Sequence, residues 1–144
     1  MATDVVPTFA QLNLVVADMA ASVAFYRRLG LTIDDSHQWA AHHVAVKLPN
    51  GLSLDLDSVE FAHHWNTGFR GRPGAGNVVI GFNLPSREAV DRLYGELVAA
   101  GVATQQAPYD AFWGARYAVV EDPDGNPIGL MSPIDDAYRS APPM

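Results

Sequence analysis

The chain has 144 residues, of which 49% are hydrophobic and 17% are charged, a balance that is ordinary for a folded domain and excludes a disordered chain. It contains no cysteine, so disulfides, thiolate catalysis and thiolate metal sites are excluded. The net charge is -7 and Lys47 is the only lysine, which excludes the clustered cationic surface of a nucleic-acid binder.

The first half of the chain predicts a strand, a helix and three further strands. Residues 9–16 alternate, with the apolar side chains Leu12, Leu14 and Val16 on one face. Asp18 then occupies an N-cap position, and Gly30 ends a helix whose apolar stripe is Met19, Val23, Tyr26 and Leu29. Strands are expected at residues 31–34, 42–48 and 52–57, with a turn at residues 49–51 joining the last two.

The second half predicts the same order of elements. Residues 78–84 alternate as a strand, Ser86 caps a helix with Glu88 in its first turn, and Gly101 ends it. The expected apolar stripe of this helix is Val90, Leu93, Leu97 and Val98. Strands are expected near residues 103–107, 116–121 and 127–131, with a turn at residues 122–126 before the last.

The two halves align as a diverged duplication. Gln11 falls on Val79, and Asp55 falls on Gly129. Because hairpin turns join neighbouring strands, a doubly wound parallel sheet is rejected in favour of an α+β fold with two βαβββ units. We expect one domain over residues 1–144, made of unit 1 at about 8–57, a linker loop at 58–76 without secondary structure, unit 2 at about 77–131 and a C-terminal tail at 132–144.

Two segments give the duplication a family resemblance. Residues 14–31 contain the pattern D-x-x-x-S-x-x-F-Y-x-x-L-G, and residues 119–133 contain the turn D-P-D-G-N. Over residues 8 to 132 the chain resembles the vicinal oxygen chelate superfamily, which includes glyoxalase I, the bleomycin resistance proteins, methylmalonyl-CoA epimerase and the extradiol dioxygenases. The resemblance implies curved mixed sheets around a cavity, and a homodimer.

In the metalloenzymes of this superfamily, four metal ligands line the cavity. The resemblance places these positions at Gln11, Asp55, Val79 and Gly129. Gln11 and Asp55 are compatible with the family pattern, but valine and glycine have no side-chain donor, and a catalytic metal needs at least three protein ligands. We therefore expect no metal, no other cofactor and none of the chelation chemistry of the family.

The five histidines leave one alternative open. A rearranged metal site could combine Asp55 with members of the set His37, His42, His43, His63 and His64. The simpler interpretation is that these histidines are surface or hydrogen-bonded side chains. Because His42 and His43 lie next to each other on an expected strand, their rings should face opposite sides.

Without its metal ligands, the cavity would be a partly apolar binding site. Alternation predicts its lining as Gln11, Asn13, Ser53, Asp55, Asp57, Val79, Gly81, Asn83, Gly129 and Met131. Aromatic residues that could rim the cavity are Trp39, Trp65, Phe69, Phe112 and Trp113, although such rings can equally pin loops to the core. The residues expected to bind a ligand are Gln11, Asn13, Trp39, Asp55, Asp57, Trp65, Phe69, Phe112, Trp113 and Met131.

This pattern is closest in character to the metal-free bleomycin resistance branch. The expected function is stoichiometric binding of a small hydrophobic or cationic compound, such as an antibiotic, by a homodimer without catalytic residues. The alternative is a lyase, isomerase or dioxygenase-like enzyme with a rearranged or metal-independent site, in which Asp55 would act as a general base. No stretch approaches the roughly 20 apolar residues that span a bilayer, and no secretory signal is visible, so we expect a cytoplasmic protein without a nucleic-acid or membrane partner.

Overall fold

The computed structural model describes residues 8–69 and 78–143, which lie in two compact units divided between residues 73 and 74. The described part of the chain forms seven strands and three α-helices, which confirms the predicted α+β class. Residues 70–76 of the predicted linker and residue 77 of predicted unit 2 lie outside the described residues. The assignment of both units to a single domain stays a prediction.

Unit 1 is a three-stranded mixed sheet with two helices. Its elements are β1 (Gln11–Val16), α1 (Met19–Arg28), β2 (His43–Lys47), β3 (Ser53–Ser58) and α2 (Val59–Trp65). The strand order is β1-β3-β2, with β1 parallel and β2 antiparallel to the central β3. Because β3 has a neighbour on each side, five of its six residues are buried, including Asp55 and Asp57.

Unit 2 is a four-stranded mixed sheet with one long helix. Its elements are β4 (Ile80–Asn83), α3 (Arg87–Ala99), β5 (Thr104–Asp110), β6 (Arg116–Glu121) and β7 (Pro127–Met131), followed by a 3-10 helix (Asp136–Tyr138). The strand order is β4-β7-β6-β5, and only the β4–β7 pair is parallel. The segment after β7 is held within this unit, because Ser140 N donates to Phe112 O at 3.0 Å and Arg139 forms an isolated antiparallel β-bridge with Trp113.

The strand pairing reproduces the predicted alignment of the two halves. Asn13 lies opposite Asp55 in unit 1, and Gly81 lies opposite Gly129 in unit 2, as the alignment requires. Both helix starts are also as predicted, since the side chain of Asp18 accepts from Ala21 N at 3.0 Å and that of Ser86 accepts from Ala89 N at 3.1 Å.

Four local predictions were wrong or incomplete. Residues 31–34 form no strand. The Ile33 carbonyl accepts a hydrogen bond from Arg27 Nη2 at 2.6 Å, and Asp34 Oδ1 accepts one from Ser36 N at 2.9 Å, which forms a turn instead. Val98 does not belong to the buried stripe of α3, being 47% exposed while its neighbour Leu97 is buried. The strand predicted at 78–84 is confined to β4, and that predicted at 103–107 extends to Asp110.

A fifth correction concerns the predicted linker, whose first residues fold as helix α2. Ser58 is both the last residue of β3 and the N-cap of α2, so no loop separates the strand from the helix. The apolar residues Phe61, Ala62 and Trp65 fall at helical spacing, and Ala62 is fully buried. Among the described residues, no helix is long and apolar enough to cross a bilayer.

Candidate functional site

Unit 1 contains a hollow that has two adjoining parts. The larger part, of about 560 Å³, is lined by His37, Trp39, His42, His43, Glu60, Phe61 and His64. The smaller part, of about 360 Å³, is lined by Gln11, Asn13, His43, Asp57, Phe61 and Trp65. Because His43 and Phe61 line both parts, we treat them as one site and call it the unit 1 hollow.

Helix α2 supplies the aromatic wall of the unit 1 hollow. Its position follows from β3, because the Ser58 side chain accepts from Phe61 N at 3.0 Å and Ser58 N donates to His42 O at 2.9 Å. Phe61 and Trp65 are four residues apart and so lie on one face of the helix. The Phe61 ring lies 5.5 Å from the ring of His43 on β2, which brings the helix over the sheet.

A chain of hydrogen bonds forms the polar floor of the hollow. Gln11 Nε2 donates to Asn13 Oδ1 at 2.7 Å, and Asn13 Nδ2 donates to Asp57 Oδ2 at 2.8 Å. The other carboxylate oxygen, Asp57 Oδ1, lies 2.6 Å from His43 Nδ1. The Asp57 side chain is 1% exposed, whereas that of His43 is 34% exposed. A buried carboxylate thus has two polar neighbours, and one of them reaches solvent through the hollow.

The rim of the larger part carries histidines and one acidic residue. His42 Nδ1 lies 2.9 Å from Ser58 Oγ and 3.9 Å from the exposed carboxylate of Glu60. His42 and His43 both line the larger part of the hollow, and His42 lies just before β2, outside the strand that was expected to contain it.

Half of the predicted binding residues lie in the unit 1 hollow. These are Gln11, Asn13, Trp39, Asp57 and Trp65. Asp55 belongs to neither lining set; it is 9% exposed, and Ser53 Oγ donates to its Oδ1 at 2.5 Å. Phe69 follows α2, and its ring lies 5.4 Å from that of His63.

The remaining three predicted residues lie together in unit 2. Trp113 Nε1 donates to Met131 Sδ at 3.4 Å, and the ring of Trp113 stands edge-on to Phe112 at 5.2 Å and to Tyr117 at 5.3 Å. These contacts give Trp113 a packing role that ties residues 111–115 to β7. Arg116, beside them, pairs with Asp91 at 2.9 Å and Asp110 at 3.2 Å.

The tyrosine of this group covers a glycine at a family metal-ligand position. A Cβ atom added to Gly129 would lie 2.7 Å from Tyr117 Oη and 3.2 Å from Tyr117 Cε1. Burial of the Tyr117 side chain, with a smaller contribution from Tyr109, raises its pKa above the ordinary value of 10.0. The absence of a side chain at residue 129 is therefore what admits the tyrosine ring.

The four ligand positions implied by the resemblance do not fit a metal ion. Gln11 and Asp55 could each offer a side-chain oxygen, but Val79 has no donor atom, and Gly129 has no side chain and lies under Tyr117. Within residues 8–69 and 78–143, no group of three or more histidine, aspartate or glutamate side chains is placed to hold a metal. We therefore derive no chemistry through a metal at this site.

The sequence interpretation named His43 only as a candidate for a rearranged metal site, and it did not include His43 or Phe61 among the ligand-binding residues, yet both are central to the hollow. The signal for Phe61 was the Ser58 N-cap with apolar residues at helical spacing, which predicts a helix where a loop was expected. The signal for His43 was its place on β2, beside the polar positions of β3, where the side chains of paired residues lie on the same face.

Comparison with known proteins identifies the family. The family model described as Glyoxalase/Bleomycin resistance protein/Dioxygenase superfamily matches residues 8–130. The chain belongs to this superfamily. The resemblance predicted from residues 14–31 and 119–133 is thereby confirmed. None of the curated proteins matches the sequence.

Solved structures share the fold of this superfamily member. A glyoxalase-related enzyme from Fulvimarina pelagi is 22% identical, with a TM-score of 0.76 and 89% of each chain covered. A glyoxalase/bleomycin resistance protein/dioxygenase from Nocardioides is 26% identical, with a TM-score of 0.70 and coverage of 93% of this chain and 88% of that one. Lactoylglutathione lyase from Agrobacterium tumefaciens is 19% identical, with a TM-score of 0.63 and coverage of 87% and 92%.

Proposed function

We propose that the chain is a binding protein for a small hydrophobic or cationic organic molecule, and that the unit 1 hollow is its binding site. The observation that carries this proposal is the combination of three aromatic side chains, Trp39, Phe61 and Trp65, with one ordered polar floor. A mostly apolar concavity with a few converging polar groups is the usual form of a small-molecule site.

The charge of the site suits a cation as well as a neutral ring. The chain has a net charge of -7, and Glu60 places an exposed carboxylate on the rim of the hollow. Trp39 and Trp65 are 64% and 47% exposed, so their faces are open to stack on a planar or cationic group. Antibiotics of this chemistry are the first compounds to test.

An enzyme that uses Asp55 as its base has less support. Asp55 is buried, its Oδ1 accepts from Ser53, and it lines neither part of the unit 1 hollow. A general base must come within hydrogen-bond reach of the proton that it removes, directly or through one water. Binding therefore remains the better-supported function.

Tryptophan fluorescence tests the proposal. In a Trp113→Phe background, the remaining tryptophans are Trp39 and Trp65, which both belong to the hollow. Titration with a panel of planar hydrophobic and cationic compounds, antibiotics included, should give a saturable change with at least one of them.

A pair of truncations tests where that compound binds. Phe61→Ala should weaken binding at least about tenfold, because burying an aromatic side chain against a ligand contributes about 1.5–3 kcal/mol. The matched control Phe112→Ala removes a ring from unit 2 and should leave affinity unchanged. No saturable change with any compound, or equal losses in the two variants, would overturn the proposal.

We further propose that the protein is a homodimer, as membership of the superfamily suggests. Sedimentation velocity should then give twice the mass of one chain. A single species with the mass of one chain would refute this assignment.

A further inference from the structure

The hydrogen-bond chain in the floor of the unit 1 hollow has a fixed direction. An ionised carboxylate can only accept hydrogen bonds, so Asp57 requires a donor at each of its two short contacts. Asn13 meets this requirement with its Nδ2 group at 2.8 Å, which leaves Asn13 Oδ1 to accept from Gln11 at 2.7 Å. Each amide is thus oriented by the buried carboxylate.

The same requirement fixes the tautomer of His43. To serve Asp57 Oδ1 at 2.6 Å, the imidazole must carry its hydrogen on Nδ1. In the neutral ring, Nε2 then has a lone pair and no hydrogen. Within the described residues, Nε2 makes no hydrogen bond, and the partly exposed ring lines both parts of the hollow. The hollow therefore offers a bound molecule a hydrogen-bond acceptor that the protein leaves unused.

The surroundings of this acceptor restrict the molecule that can use it. The Phe61 ring lies 5.5 Å from the His43 ring, so a ligand that reaches Nε2 lies against an aromatic face. A flat ring fits this space better than an aliphatic chain, because aromatic rings gain from offset or edge contacts with one another. A polar group that only accepts hydrogen bonds would meet the lone pair of Nε2 and be disfavoured.

We propose that the unit 1 hollow selects planar molecules that carry an acidic O–H or N–H group, which donates to His43 Nε2. This inference rests on the proposed binding function and adds the chemical class of the ligand.

Two naphthalene derivatives test the selectivity. 2-Naphthol has a hydroxyl group that stays un-ionised at neutral pH, as phenols do, and 2-methoxynaphthalene has the same ring without a hydrogen to donate. An apolar hollow alone would favour the methoxy compound. A donor to Nε2 should instead make 2-naphthol bind about tenfold more tightly, the factor that one well-formed hydrogen bond supplies.

Three variants locate the effect, each measured by calorimetric titration with both compounds. His43→Phe keeps a ring but removes the acceptor, so the two compounds should bind with the preference of a plain apolar hollow. Asp57→Asn can donate to Nδ1 and so moves the imidazole hydrogen to Nε2, which should also abolish the preference for 2-naphthol. Glu96→Gln changes an exposed carboxylate on α3, outside the unit 1 hollow, and should keep the wild-type preference.

The outcomes separate this inference from the function on which it rests. Equal binding of both compounds by the wild-type protein would overturn the inference and leave the hollow as a binding site. Retention of the preference in His43→Phe would also overturn it, and this variant decides the question if Asp57→Asn fails to fold. If neither compound binds the wild-type protein, the inference falls, and the titration with the compound panel decides the proposed function separately.

Discussion

Adding one methyl group at Gly129 should destabilise the protein, because the space that it would occupy belongs to Tyr117. In Gly129→Ala the new Cβ would lie 2.7 Å from Tyr117 Oη, whereas ordinary contact begins at 3.4 Å, so the ring must move. The ring cannot move freely, since Trp113 packs against it at 5.3 Å and Tyr109 at 6.3 Å.

The size of the effect can be set from two opposing terms. Overpacking a well-filled site costs about 1–3 kcal/mol. Replacing glycine by alanine returns about 0.4–1 kcal/mol by restricting the unfolded chain. We expect a net loss of about 1–2 kcal/mol in the free energy of unfolding, measured by urea denaturation with tyrosine and tryptophan fluorescence.

Gly81, the glycine paired with Gly129 on the neighbouring strand β4, provides a matched control. Gly81 lies opposite Gly129 in the parallel pair, and a Cβ added there would meet no atom within 4 Å. Gly81→Ala should therefore be neutral or stabilising by about 0.5 kcal/mol. Tyr117→Phe removes the closest atom, so combining it with Gly129→Ala should recover at least half of the loss. If Gly129→Ala is as stable as Gly81→Ala, Tyr117 does not occupy the space above residue 129 and the reasoning fails.

Three further predictions follow from contacts described above. Asn13→Ala should lower the free energy of unfolding by about 1–2 kcal/mol, because the buried Asp57 carboxylate loses a hydrogen-bond donor. The control Gln11→Ala, at an exposed residue, should change it by less than about 0.5 kcal/mol, and equal urea midpoints for the two variants would contradict the prediction. Ser58→Ala and Ser86→Ala each remove a helix N-cap and should each cost about 1 kcal/mol, but only Ser58→Ala should weaken ligand binding, which titration of both variants would show. Because the pKa of Tyr117 is raised, the native state holds the phenol proton to a higher pH than the unfolded chain does. The contribution of this proton to the free energy of unfolding is therefore complete below pH 10.0 and is lost as the pH rises above it. Tyrosine absorbance should show a late-titrating group that Tyr117→Phe removes.

The predicted repeat held where side-chain alternation was regular. β6 and β7 have the bounds that were expected, and the two glycines that end the long helices, Gly30 and Gly101, have φ values of +94° and +85°. Such signals are local, because a capping side chain or a left-handed residue acts on its own turn. They were therefore visible without tertiary information.

The errors arose where tertiary contacts replaced local preference. Residues 31–34 have the composition of a strand, but the Ile33 carbonyl accepts a hydrogen bond from the side chain of Arg27 on α1. The helix α2 was missed because the glycine-rich segment that follows it masked the short apolar pattern around Phe61. Chain composition averages over a segment, whereas a helix needs only a cap and one turn of suitable spacing.

The candidate site was predictable only in part for the same reason. Polarity on alternate strand positions pointed to Asn13 and Asp57, and both lie in the unit 1 hollow. The partnership of Asp57 with His43 depends on the register between β2 and β3, which a single sequence does not fix. Of the aromatic residues predicted to rim the cavity, Trp39 and Trp65 line the unit 1 hollow, whereas Trp113 lies in unit 2, where its Nε1 donates to Met131 Sδ.

The direct succession of β3 and α2 limits how the site can change. One residue inserted after Ser58 would turn the helix by about 100° relative to the sheet, because an α-helix has 3.6 residues per turn. Phe61 and Trp65 would then leave the hollow together, and the floor would lose its cover. Substitution of individual side chains is the route by which this site can acquire a different ligand, since insertions and deletions at this junction would remove the site itself.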